Sequence, residues 1–181
     1  MALEEVTSLL NRLKSLKGPL MDNCKDGPYW DALSRRDKKW DLRLLRLAKH
    51  ISQWSKDPST KVGAVLSDVM FRVLSTGYNG FPADVADENL DDREFKYERT
   101  VHAELNAILF KDGSVWGSTL YVWPMPPCSR CAGPIIQAGI STIISPPAGE
   151  RWEESCRIGR DMFRQAGISV FELDEETGEY K

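Results

Sequence analysis

The chain has 181 residues, of which 41% are hydrophobic and 28% charged, with a formal net charge of -3. That length suits one domain with a full core and a short appendage rather than two domains, and no apolar run approaches the ~20 residues of a membrane span. A weakly acidic chain has no general attraction for a polyanion, so a small substrate is favoured over a polynucleotide.

Leu3, Val6, Leu10 and Leu13 recur at helical spacing and predict an amphipathic helix over residues 3–16, stopped at Lys17-Gly18-Pro19. The opening MALEEVTSLLNRLK carries Glu4 and Glu5 and no continuous apolar segment. It does not read as a signal peptide, and a cytoplasmic protein is expected. Residues 18–34 form a Gly/Pro-containing connector, and the run Arg35, Arg36, Lys38, Lys39 reads as a solvated face. The expected organisation is an N-terminal extension over 1–39, an α/β body over 40–173 and an acidic, solvated tail over 174–181.

A helix is signalled from Asp41, with Leu42, Leu45, Ala48, Ile51 and Trp54 on its apolar stripe and His50 off it. VGAVLS at 62–67 and FRVLSTG at 71–77 predict a β-hairpin. Residues 81–98 read as a long acidic loop of the kind that serves as a lid or binding element. Another helix begins near Val101, followed by a strand over 118–123 and the proline-rich WPMPP. The remaining elements are a helix over 129–138, a strand over 141–145, a helix over 150–165 and a strand over 168–173. Strands alternating with helices after a hairpin argue for an α/β layer fold around a mixed sheet.

PPCSRCA places Cys128 and Cys131 three apart where a helix begins, so that both sulfurs project from one side of its first turn. The positive end of the helix dipole lowers thiol pKa values, and the thiolate is the form that binds zinc. With the imidazole of His102 there are three ligands, and three protein ligands with an open fourth position are the catalytic zinc pattern. Cys24, Cys156 and His50 are the remaining side chains able to close such a site, and none stands at a metal-ligand spacing. Glu104, two residues after His102, lies in line with Ile108 on the inward stripe, where a carboxylate is out of place unless a pocket meets the helix there. His-x-Glu followed by Pro-Cys-x-x-Cys is the signature of zinc nucleobase deaminases.

WSKDPSTKVGAVL, GYNGFP, HAELNAI, PPCSRCA and IIQAGI together resemble the cytidine/deoxycytidylate deaminase superfamily, and more closely its deoxycytidylate (dCMP) branch, over about residues 40 to 172. The resemblance implies hydrolytic deamination of dCMP to dUMP on a three-layer α/β/α fold with a five-stranded mixed sheet, supply of the dTMP precursor, and a homo-oligomer, with a hexamer favoured. It implies Zn²⁺ on His102, Cys128 and Cys131, proton shuttling by Glu104, the Ala103 backbone bordering the pyrimidine and Asn79 contacting the sugar. It also implies an effector site around Gly77, Tyr78, Asn79 and Gly80, with dCTP activating, dTTP inhibiting and Mg²⁺ accompanying the triphosphate. SKDPST reads either as a helix exit or as a monophosphate loop using Ser55, Lys56 and Thr60, with Lys61 and Arg99 nearby. WPMPP departs from the family's shorter, Thr-containing approach to its Pro-Cys and points to an altered pocket wall. The competing readings are a cytidine- or tRNA-adenosine-type zinc deaminase and a non-catalytic zinc-binding module.

Overall fold

The computed structural model describes residues 37–180, so the helix expected over 3–16, the connector at 18–34 and Cys24 lie outside the described residues. Helix α1 spans Lys38–Ser52. The Asp37 carboxylate accepts the Lys39 N–H at 2.9 Å and caps it. Leu44, Leu45, Ala48 and Ile51 are buried, so the apolar face is turned slightly from the expected stripe. Leu42 is only half-buried, and Trp54, beyond the helix end, is exposed.

The sheet has the order β2-β1-β3-β4-β5. Its strands are β1 (Gly63–Ser67), β2 (Val73–Tyr78), β3 (Thr119–Trp123), β4 (Thr142–Ser145) and β5 (Ser169–Glu172). β1 pairs antiparallel with both β2 and β3, and β3, β4 and β5 run parallel, which makes the sheet mixed. Side chains two apart share a face. Ala64, Leu66, Leu120, Val122 and Ile143 therefore face one core, together with Ala107, Ile135 and Phe163. Val65, Tyr121 and Ile144 face the other, against Leu45, Ala48 and Ile51 of α1. All five residues of β1 are buried because helices cover both its faces. The result is the three-layer α/β/α arrangement expected, with α1 on one side. On the other side lie α3 (Ala103–Leu109), α4 (Ser129–Gln137) and α5 (Glu153–Gln165), the last preceded by a 3₁₀ turn at Glu150–Trp152.

Two expectations need correction. The acidic segment at 81–98 is not loop throughout: Arg93–Arg99 form helix α2, started by the Asp92 carboxylate accepting the Phe95 N–H at 3.1 Å. Lys96 draws this helix onto the body through a buried ion pair with Asp57, Nζ to Oδ1 2.9 Å. Nor do residues 174–180 form a solvated tail. Leu173 and Tyr180 form an antiparallel bridge, the Tyr180 hydroxyl donates to buried Asp41, and Glu175 pairs with Lys49 of α1 at 2.8 Å. Two aromatic residues and Asp41 give this segment something to bind that its acidic composition does not advertise. Among the described residues no helix is long and apolar enough to cross a membrane.

Candidate active site

Helices α3 and α4 bring their N-terminal ends to one spot, near the start of β1 and the end of β3. His102 is the residue before α3, in extended conformation at φ -73° and ψ 154°, and its ring makes no capping hydrogen bond. Cys128 holds the same position before α4, at φ -73° and ψ 170°. Cys131 follows on the first turn of α4, its N–H donating to the Cys128 carbonyl at 3.1 Å. The His102 Nδ1 lies 3.4 Å from Cys128 Sγ and 3.2 Å from Cys131 Sγ.

All three donor atoms lie within 4.8 Å of one another, and among the described residues no fourth side chain joins them. Zn–S and Zn–N bonds of roughly 2.3 and 2.0–2.1 Å at tetrahedral angles separate sulfur from nitrogen by about 3.6 Å. The observed spacing is within a few tenths of an ångström of that, so the group fits zinc. His50 is exposed and set against Trp54, and the Cys156 thiol donates to the Pro126 carbonyl at 3.2 Å, its pKa pushed up to about 11 by burial.

The two thiols and the imidazole are electrostatically coupled. The Cys131 thiol, hydrogen-bonding to Cys128, brings the Cys128 thiol down to about 4, with the His102 ring helping against burial. Cys131 moves the other way, because it gives that hydrogen bond and is itself buried. The bond to Cys128 raises His102. Glu104 is 4% exposed, and burial raises its carboxyl against the pull of His102. Its inward placement next to Ala103, which is fully buried, agrees with the reading of the interrupted apolar stripe.

A cavity of about 260 Å³ opens above this group, with His102, Glu104 and Cys128 in its lining. Val62 and Asn79 form one side, and Met125 and Pro126 of the WPMPP stretch form another, so that departure does build pocket wall. The Trp123–Pro124 peptide is cis. Asn79 is largely committed: its Oδ1 accepts the Val62 N–H at 2.7 Å and its Nδ2 donates to the Thr60 carbonyl at 2.9 Å. At most one amide N–H remains for the cavity.

The other sequence candidates separate. Thr60 lines the cavity, whereas the Ser55 hydroxyl is buried and donates to the Asn79 carbonyl at 2.8 Å. Lys56 does not line the cavity and pairs with Asp87. Arg99 lies over the Phe95 ring, 3.6 Å from its centroid, and Lys61 lies in an adjoining outer cleft with Arg151. Gly77 packs where a Cβ would come within 2.3 Å of the Ala103 carbonyl, the Tyr78 carbonyl accepts from Asn106 at 2.8 Å, and Gly80 pairs with Val101. These three residues of GYNG thus join β2 to α3, and none of them lines the cavity.

Sequence reasoning missed Tyr97 and Thr100 of the α2 region, Arg130, Trp152 and Ser155, all of which line the cavity. A signal existed for Arg130, which with Ser129 stands between the two candidate metal-ligand cysteines; both line the cavity.

The model of the cytidine and deoxycytidylate deaminase zinc-binding region matches residues 38–145. The chain is 44% identical over 137 residues to an uncharacterized deaminase in the luxG 3' region of Aliivibrio fischeri, covering 73% of this chain and 92% of that one. It is 35% identical over 139 residues to the deoxycytidylate deaminase of Mus musculus, covering 72% and 78%. The solved dCMP deaminase of cyanophage S-TIM5, in complex with dCMP and dUMP, superposes with a TM-score of 0.66 at 26% identity, over 77% of this chain and 100% of that one.

Proposed function

The chain belongs to the cytidine and deoxycytidylate deaminase family, and from that premise we propose that it is a hydrolytic deaminase converting dCMP and water to dUMP and ammonia. The observation that carries the reading is the convergence of His102, Cys128 and Cys131 beside the buried carboxyl of Glu104 on the floor of one cavity. The dCMP and dUMP in the cyanophage relative support the choice of substrate.

His102, Cys128 and Cys131 would hold Zn²⁺, which when bound lowers the pKa of water and so supplies a nucleophile near neutral pH. Glu104 takes a proton from the attacking water and delivers it to the ring nitrogen next to the reacting carbon. The same carboxyl then helps protonate the amino group, which leaves as ammonia. A carboxyl buried beside the candidate metal ligands and lining the cavity is placed to serve both halves of that transfer. The Ala103 backbone would border the pyrimidine, with Asn79 and Thr60 along the sugar and phosphate.

The product would feed dTMP synthesis in the cytoplasm, and assembly would be homo-oligomeric, with a hexamer favoured. Activation by dCTP and inhibition by dTTP, with Mg²⁺ on the triphosphate, rest on the GYNG resemblance. The deciding experiment is a zinc-loaded substrate panel of dCMP, CMP, deoxycytidine and tRNA, with dCTP and dTTP titrated into the dCMP reaction. The expected result is turnover of dCMP well above the nucleoside. Turnover of dCMP no faster than deoxycytidine removes the substrate assignment, and a flat response to both triphosphates removes the regulation.

A further inference from the structure

The cavity presents two carboxyls and a single Lys or Arg among the described residues that line it. Asp57 is neutralised by Lys96, whose Nζ also donates to Ser59 Oγ at 2.7 Å, and Glu104 is buried on the floor. Arg130 is that cation, exposed at the rim, with no carboxylate among the described residues in ion-pair range. Its place is fixed by its neighbours, because it sits on the first turn of α4 between two residues whose thiols converge on His102.

We propose that Arg130 selects a nucleotide over a nucleoside by pairing its guanidinium with the substrate's 5'-phosphate, an inference that rests on the deaminase reading above. The geometry of the ligand demands such a group at the rim. With the base at Glu104 and the sugar beyond it, the phosphate hangs from the far end of the nucleotide, towards the mouth. A guanidinium there makes two parallel charge-assisted bonds to phosphate oxygens, which an ammonium cannot do. Ser129 and Ser155, whose hydroxyls lie 3.2 Å apart beside Arg130 in the lining, can add neutral donors. The rival cations are placed otherwise: Lys56 is held by Asp87 outside the cavity, and Lys61 and Arg151 belong to the outer cleft.

The test measures kcat/KM for dCMP and for deoxycytidine with the zinc-loaded full chain, wild type against Arg130→Ala, Arg130→Lys, Lys61→Ala and Arg151→Ala. Metal content is measured on each protein. Arg130→Ala should lower the dCMP-to-deoxycytidine ratio about 100-fold and Arg130→Lys roughly tenfold, as expected for loss of a bidentate charged contact. Calorimetry should show dUMP losing affinity in Arg130→Ala by a similar factor, relative to deoxyuridine. A ratio within threefold of wild type in Arg130→Ala overturns the proposal, as does a collapse of the ratio in Lys61→Ala or Arg151→Ala instead. If Arg130→Ala loses zinc, Arg130→Gln, which keeps the stem, gives the same comparison. If the wild type prefers deoxycytidine to every nucleotide, both readings fall. If it prefers another pyrimidine nucleotide, the dCMP assignment alone falls, and Arg130 is judged on that nucleotide's ratio.

Discussion

At the scale of single residues the proposed site separates into groups that would bind the metal and one that would move protons. Glu104→Gln keeps the shape of the side chain while removing its ability to take a proton. Turnover should fall by about 10²–10⁴-fold while metal analysis still finds close to one zinc per chain. Loss of zinc together with activity would instead make Glu104 a structural support. These residues were legible because their chemistry is rigid: thiolates three apart at a helix start and an imidazole at another helix end leave few alternatives. Ser55 and Lys56, offered as phosphate ligands, do not line the cavity, and the reason is the opposite one. Hydroxyls and amines serve many partners, and here the Asn79 carbonyl and Asp87 claim them.

At the scale of elements the loop that carries the candidate metal ligand Cys128 depends on what lies behind it. Helix α5 approaches the backbone at Pro127 and Cys128 so closely that a Cβ on Gly159 would lie 2.7 Å from the Pro127 carbonyl oxygen. Gly159→Ala should push that loop off its position, costing about 1–3 kcal/mol of stability and weakening zinc affinity by roughly tenfold. A competition assay with a chromogenic chelator, run beside chemical denaturation, checks both numbers, and an unchanged affinity would mean that the loop is held from its other side. The hairpin, α4 and the parallel strands were readable because their apolar periods persist over whole elements. Helix α2 was not, since seven residues carry too little period to stand out from an acidic run, and its anchor Lys96 finds Asp57 39 residues away.

At the scale of the whole molecule, the dependence of stability on acid resides in paired carboxylates. Burial alone would raise the Asp57 carboxyl, but the Thr60 and Ser59 N–H groups and the Lys96 ammonium outweigh it and hold the pKa below its ordinary value. Folded protein therefore binds this proton less readily than unfolded chain. The resulting stability is fully present above the unfolded value of about 3.9 and is lost as pH falls through the lower folded value. Urea unfolding from pH 6 to 3 should show wild type losing more stability below about pH 4 than Asp57→Asn does, and equal slopes would refute the assignment. Lys96→Met, which strands a buried carboxylate, should cost about 3 kcal/mol at pH 7. The layered architecture was visible in the order of elements, whereas the docking of residues 174–180 was not, because Tyr180 and Asp41 are brought together only by the finished fold.

Lys56 and Asp57 are consecutive and opposite in charge. Lys56 holds Asp87, and Asp57 holds Lys96, near the two ends of the segment that supplies Tyr97 and Thr100 to the cavity. Two adjacent charges of opposite sign thus act as a compass for that segment. Laid down in reverse, it would bring Lys96 to Lys56 and Asp87 to Asp57, like charge against like.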